Sequence, residues 1–115
     1  FEVLYADFLM AVAARVTSEY LDHHTPPDYF VGCNNQISQG IIKSCIDHQL
    51  SPMQDVSLFS IDEISHAPIY GFHFPCIAHD LHEMAWQVIN LAVRRATESE
   101  VKPGKVIVRG KMVVP

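Results

Sequence analysis

Apolar positions along the chain alternate between short continuous runs and longer stretches with helical spacing. The run at 1–6 (FEVLYA) is apolar at nearly every position, which is typical of a strand in a parallel sheet covered on both sides. Two further runs, at 29–33 (YFVGC) and 56–61 (VSLFSI), also predict strands. Helical spacing separates these runs, so the pattern predicts β-α-β-α-β with the strands parallel in one sheet.

Polar residues and prolines set the expected ends of the first two helices. Asp7 is the expected N-cap of the first helix, and Pro26 and Pro27 forbid its continuation. Asn34 and Asn35 offer an N-cap to the second helix.

The second half of the chain begins with an irregular stretch, 64–79, in which a short strand is expected around 73–77. An amphipathic helix is expected over 80–98, with Asp80 as its N-cap. One stripe of this helix contains Leu81, Met84, Ala85, Val88, Leu91, Ala92 and Arg95. Residues 105–114 (KVIVRGKMVV) predict one or two closing strands.

Composition narrows the class of protein. The chain has 115 residues, 49% of them hydrophobic and 18% charged, which is enough apolar material for one folded domain and excludes disorder. A net charge of −5 leaves no basic face for nucleic acid on this chain, and no apolar run reaches the length of a membrane span. The odd count of three cysteines, Cys33, Cys45 and Cys76, without CxxC spacing, favours reduced, buried thiols in a cytoplasmic protein. Because the chain opens on Phe1 inside a predicted strand, we expect it to be a portion of a longer protein.

Each of the three predicted strands of the first half is followed by a pair of polar or aromatic residues: Asp7 and Phe8, Asn34 and Asn35, and Asp62 and Glu63. Ligands of open parallel sheets bind outside the carboxyl ends of the strands. Amide and carboxylate groups can bind hydroxyls, and Phe8 could stack on a sugar ring or a base. A small polyhydroxylated or heterocyclic ligand fits these groups, but helix caps and a turn explain the same residues, and both interpretations stay open.

Catalytic motifs are weak by comparison. His79, Asp80 and His82 resemble the ligands of some metal phosphohydrolases, but His79 precedes the helix and no second pair lies at a suitable distance. Solvated or core histidines are the favoured interpretation, and a metal-dependent hydrolase is the remote alternative. The sequence contains no GxSxG, GxGxxG or Walker motif, so we expect neither an enzyme nor a cofactor.

Residues 32–40 (GCNNQISQG) resemble the motif (A)AND-x-x-A-x-G, and 50–63 (LSPMQDVSLFSIDE) resemble G-hydrophobic-x-(V)P-x-D-(V/I)S-V-V-G-(F/Y)-D-D. Downstream, 74–93 resembles L-T-T-(I/V)-x-Q-x-x-x-x-(M/L)-G with its helix, and 106–115 resembles the strand L-V-x-R-x-S. In order and spacing these segments resemble the effector-binding half of transcriptional regulators of the lac repressor (LacI/GalR) family. Departures from the family pattern include Asn35 instead of Asp, Ser60 instead of Gly, and FPCIAHD (74–80) instead of the Thr-Thr segment.

The resemblance implies an α/β fold of three layers with a parallel sheet, namely the C-terminal lobe of a periplasmic-binding-protein-like (type I) fold. Residues 1–79 would form this βαβαβ lobe, and 80–115 would form a crossover helix and terminal strands. In the family that helix packs on an N-terminal lobe, which these 115 residues do not include. We therefore expect the helix to dock on its own sheet or on a neighbouring copy.

The resemblance also implies a function and its residues. Ligand contacts would come from Phe8, Asn34, Asp62 and, more weakly, Leu81, and a dimer interface from Gln39, Ile42 and Tyr70. The expected partners are a sugar or sugar-phosphate effector, with a nucleoside or purine as second choice, and a second copy of the chain. DNA would be bound only through a helix-turn-helix outside these residues. A periplasmic-type sugar-binding protein for transport is the main alternative.

Overall fold

The structure is a computed structural model that describes residues 1–64, 66–98, 102 and 104–115, without the side chains of residues 69 and 70. Its helices are α1 (Met10–His23), α2 (Asn35–Asp47) and α3 (Leu81–Thr97), and a 3₁₀ turn covers Ala67–Tyr70. Its strands are β1 (Tyr29–Gly32), β2 (Ser57–Ile61), β3 (Cys76–Ala78) and β4 (Lys111–Val113).

The strands form one sheet in the order β1-β2-β3-β4. β1 pairs with β2 in parallel and ends with Gly32 opposite Ser60, and β2 pairs with β3 in parallel with Ile61 opposite Ile77. β4 runs antiparallel to β3. The α/β class and a mostly parallel sheet are therefore confirmed.

The core lies between α2 and one face of the sheet. Alternate residues of a strand point to opposite faces, and Leu58 of β2, only 2% exposed, packs in one buried cluster with Ile41 and Cys45 of α2. α1 packs against α2 at very short range, since a Cβ on Gly40 would lie 2.6 Å from the backbone oxygen of Met10. The absence of a side chain at Gly40 is what allows this approach.

The described chain supplies two of the three expected layers. The sheet face opposite α2 carries Tyr29, Val31 and Met112, all exposed. Within the part of the chain that the structure describes, α3 contacts no other helix or strand. A third layer would have to cover this open face.

The prediction of a strand at 1–6 is wrong. These residues join no strand, and Phe1, Val3 and Tyr5 are exposed. Residues 2–5 run beside α1, where they line a shallow groove with Val16. A strand needs a neighbouring strand for its backbone hydrogen bonds, and α1 offers none; the apolar pattern alone does not supply one.

The prediction that Asp7 caps α1 is also wrong. The N-cap is Leu9, which makes no side-chain cap hydrogen bond. Asp7 and Phe8 have φ angles of 48° and 58°, in the left-handed region that non-glycine residues seldom adopt. The chain turns at these two residues before α1 begins, so the Asp7 side chain does not reach the first free backbone N–H groups.

α3 forms as predicted, but the expectation that it docks on its own sheet is wrong. It buries none of its residues. The radius of gyration is 18.2 Å, compared with about 13 Å for a compact chain of this length, because this helix projects from the lobe. No helix in the described part is long and apolar enough to cross a membrane.

Candidate functional site

Asn34 stands at the carboxyl end of β1 and begins α2. Its side-chain oxygen accepts a hydrogen bond from the backbone N–H of Ile37 at 2.7 Å, so the interpretation as a helix cap is confirmed. The cap uses the oxygen of the amide and leaves its NH₂ group as a donor. Asn34 is half-buried, so a ligand at this edge of the sheet can still reach that donor.

Asp62 follows the last residue of β2 and has an unusual backbone. Its φ angle is 106°, a conformation that glycine adopts freely and that strains other residues. Its backbone N–H donates to the carbonyl oxygen of Ile77 in β3 at 3.1 Å. This hydrogen bond ties Asp62 to the neighbouring strand and helps to hold the strained conformation.

His79 pairs with Asp62, a contact that was not predicted from the sequence. The imidazole Nε2 lies 3.1 Å from Asp62 Oδ1, and both side chains are about half-exposed. A clue was present all the same: His79 directly follows β3, at the same edge of the sheet where Asn34 follows β1 and Asp62 follows β2.

Two buried hydroxyls lie where β1 and β2 end. Ser38 Oγ donates to the backbone oxygen of Asn34 at 2.9 Å and lies 2.7 Å from Ser60 Oγ. Gly32 makes room for this pair, since a Cβ there would lie 2.0 Å from Ser38 Oγ. Ser60, where the family motif has Gly, therefore has a hydrogen-bond partner inside the protein.

Leu81 and Phe8, the other two predicted ligand residues, have weaker connections to Asn34 and Asp62. Leu81 begins α3 and donates its backbone N–H to the oxygen of His79 at 3.0 Å, so it adjoins the Asp62–His79 pair. Phe8 is exposed, and no described contact joins it to Asn34 or Asp62. The sheet thus brings Asn34, Asp62 and Leu81 to one edge, while the role of all four residues stays a prediction.

The predicted dimer residues lie beside an apolar groove. Gln39 and Ile42 of α2 line a groove of about 330 Å³, whose other wall includes Ile64 and Phe72. The side chain of Tyr70, the third predicted residue, lies outside the described part of the structure. The interface itself stays a prediction.

Thiols and metal ligands do not assemble into a reactive centre in the described chain. No three His, Cys, Asp or Glu side chains converge there as metal ligands would, and the Asp80 carboxylate caps α3 by accepting from the N–H of Glu83 at 2.9 Å. Burial raises the pKa of Cys45 to about 11 and also raises the pKa of Cys76, where the charge of Glu63 adds to the effect. Cys33 is exposed, which corrects the expectation that all three free thiols are buried.

The chain is similar to solved structures of LacI-type regulators. The chain superposes with a TM-score of 0.76 on a LacI family transcriptional regulator from Arthrobacter sp. in complex with lactose, at 18% identity over 92% of this chain and 40% of that one. The lac repressor bound to ONPG gives 0.76 at 16% identity over 93% of this chain and 32% of that one. A LacI-type transcription regulator from Bifidobacterium animalis subsp. lactis gives 0.82 at 14% identity over 93% and 38%.

No protein-family model matches the sequence, and no curated protein matches it either. The identities to the solved structures establish the fold alone, and at that level they confirm the resemblance to the LacI family and the periplasmic-binding-protein-like fold class. The chain spans at most 40% of the length of these three regulators.

Proposed function

We propose that the chain is the effector-binding part of a cytoplasmic, LacI-type transcriptional regulator and that it binds a small sugar-like metabolite. The observation that carries the proposal is the edge of the sheet where Asn34, Asp62 and His79 follow three neighbouring parallel strands. An amide donor and a paired carboxylate suit the hydroxyls of a sugar. Binding of lactose by a regulator of the same fold supports this class of ligand.

In the intact regulator, ligand binding at this edge would change the relative position of the two lobes and thereby the affinity for DNA. The DNA would be held by a helix-turn-helix that is separate from these residues. The net charge of −5 on this chain agrees with such a division of labour, because phosphate contacts require a basic surface.

Thermal-shift screening of the full-length protein with sugars, sugar phosphates and nucleosides tests the ligand. We expect one class to raise the melting temperature of the wild type and to lose that effect in Asp62→Ala. Asp28→Ala is the matched control, because Asp28 is an exposed carboxylate just before β1, at the opposite end of the strands. A ligand that stabilises wild type and Asp62→Ala equally, or operator binding that no metabolite changes, would contradict the proposal.

The homodimer is a second part of the proposal and is supported by the apolar groove beside α2. Ile42 lines that groove, and an Ile42→Asp change would place a charge in an apolar contact. We expect this variant to shift the full-length protein toward monomer in analytical ultracentrifugation. Ile107→Asp, at an exposed residue outside the groove, should leave the mass unchanged; a monomeric wild type would sink this part of the proposal.

A further inference from the structure

Two fully buried serines connect the end of β2 to the first turn of α2. Ser38 and Ser60 are each 0% exposed, and their hydroxyl oxygens lie 2.7 Å apart. The hydrogen of Ser38 Oγ is donated to the backbone oxygen of Asn34, so Ser60 Oγ is the donor between the two hydroxyls. One chain of hydrogen bonds therefore runs from Ser60 of β2 through Ser38 of α2 to Asn34, two residues after β1.

Both serines are unusual for their positions in the sequence. Ser38 stands where the motif (A)AND-x-x-A-x-G has Ala, and Ser60 stands where the next motif has Gly. The two departures are in contact with each other. In the described part of the chain every buried side-chain oxygen and nitrogen has a hydrogen-bond partner, and for Ser60 that partner is Ser38.

We propose that Ser38 and Ser60 are positioning residues that hold Asn34 and Asp62 at a fixed separation for the ligand. Gly32 and Ser60 are the last paired residues of β1 and β2, and Asn34 and Asp62 each lie two residues further on. The hydroxyl pair thus joins β2, two residues before Asp62, to the first turn of α2, whose N-cap is Asn34. This inference rests on the proposed function only in the statement that a ligand binds there.

The same fold contains a second hydroxyl pair that serves as a control. Ser44 is also 0% exposed; it accepts from Ser18 Oγ at 3.1 Å and donates to the backbone oxygen of Ala14. These groups join α1 to α2 and lie away from the strand ends. Ser44→Ala therefore removes a buried hydroxyl of the same kind without touching the candidate site.

The hydrogen bonds predict an unequal response to the two single changes. Ser38→Ala leaves the buried Ser60 hydroxyl without an acceptor, whereas Ser60→Ala leaves the Ser38 hydroxyl bonded to Asn34. In the double variant no hydroxyl is left unpaired, and the Asn34 oxygen still accepts from the backbone N–H of Ser38 at 3.0 Å. Stability should therefore fall most in Ser38→Ala and recover in the double variant, while the side-chain connection between β2 and α2 stays lost.

The experiment compares the full-length wild type with Ser38→Ala, Ser60→Ala, the double variant and Ser44→Ala. Urea unfolding measures stability, hydrogen exchange by mass spectrometry measures local opening, and titration with lactose measures binding. We expect exchange in the peptides around Asn34 and Asp62 to rise about tenfold in Ser38→Ala and to stay high in the double variant. The Kd for lactose should rise in the same variants. Ser44→Ala should change neither the exchange rate of these peptides nor the Kd.

Two results would overturn the proposal. The first is a double variant in which both the stability and the hydrogen-exchange rate near Asn34 and Asp62 return to the wild-type values. That result would mean that the serines only stabilise the fold. The other is an equal effect of Ser44→Ala on those peptides. If lactose binds to no protein, wild type included, this sugar is not the ligand and the proposed function loses support, while the exchange data still decide the role of the serines.

Discussion

α2 and α3 are both amphipathic helices, yet α2 is packed into the core and α3 is exposed to solvent. α2 has 13 residues and buries five of them: Ser38, Gly40, Ile41, Ser44 and Cys45. α3 has 17 residues and buries none, although its stripe is the longer of the two. An apolar stripe therefore predicts that a helix will be covered, but it does not tell whether the covering surface belongs to the same segment of chain.

The difference has a topological cause. α2 joins two strands that are neighbours in the sheet, so its crossover lays it directly over them. α3 follows β3 and precedes an antiparallel partner of that strand, and nothing in this connection directs the helix back onto the core. Four ways to test the contrast follow from the packing of the two helices.

Substitution of one leucine in each region should give the largest contrast. Leu58 is 2% exposed under α2, and Leu58→Ala should lower the free energy of unfolding by about 3 kcal/mol through lost contacts and a cavity. Leu81 of α3 is 72% exposed, and Leu81→Ala should cost less than about 0.5 kcal/mol. Urea unfolding of the 115-residue chain measures both. A comparable loss for Leu81→Ala would mean that α3 is packed in solution.

Addition of a methyl group between α1 and α2 tests how tightly the lobe is built. Gly40→Ala would place its Cβ 2.6 Å from both the Cβ of Ala13 and the backbone oxygen of Met10, so the two helices must separate. We expect a loss of about 2 kcal/mol in urea unfolding, even though alanine favours helix over glycine. Gly104→Ala, with open space around it, is the control. A stabilised Gly40→Ala would show that helix propensity outweighs this contact.

The fluorescence of the single tryptophan reports on the exposure of α3. Trp86 lies on α3 and is 59% exposed. We expect the fluorescence of the 115-residue chain to have the red-shifted maximum of a hydrated indole and to be quenched readily by acrylamide. A blue-shifted maximum that persists on dilution would mean that α3 folds back onto its own lobe, and one that appears only at high concentration would point to a second copy.

The smallest expected effect is a pH-dependent change in stability through His48, which joins α1 to α2. When His48 is protonated, its ring nitrogens Nδ1 and Nε2 donate to the backbone oxygen of Ser44 at 2.8 Å and to Asp22 Oδ1 at 3.1 Å. The Ser44 hydrogen bond first, and the Asp22 hydrogen bond next, raise the pKa of His48 above its usual 6.5. Because the pKa is raised in the folded state, this stabilisation is fully present below pH 6.5 and is lost as the pH rises through the raised value.

Asp22→Asn should therefore lower the melting temperature slightly at about pH 6 and leave it unchanged at about pH 9, where His48 is neutral in both proteins. Asp28→Asn, at a carboxylate outside this pair, serves as the control. A difference between Asp22→Asn and wild type that is the same at both pH values would contradict an effect through His48.

Local signals in the sequence predicted much of this contrast. The bounds of β1, β2 and α3 follow from short-range patterns and agree with the structure to within one residue, and Asn34 and Asp80 cap α2 and α3 as predicted. The closing strand is shorter than the predicted 105–114, because only Lys111–Val113 finds a partner in β3.

The rest depended on long-range contacts. The strand predicted at 1–6 needed a neighbour that its own residues do not specify. The Ser38–Ser60 pair joins residues 22 positions apart, and His79 meets Asp62 across two strands. Only the register of β1, β2 and β3 brings these groups together, and the register was not visible in the sequence.

The backbone of Asp62 carries a consequence for how the protein can evolve. Glycine would adopt a φ of 106° without strain, so Asp62→Gly should make the fold more stable while it deletes the carboxylate that His79 holds. Selection for stability alone would replace Asp62 with glycine. Under the proposed function, stability and ligand binding trade off at this position, and a laboratory search for thermostable variants should recover glycine there.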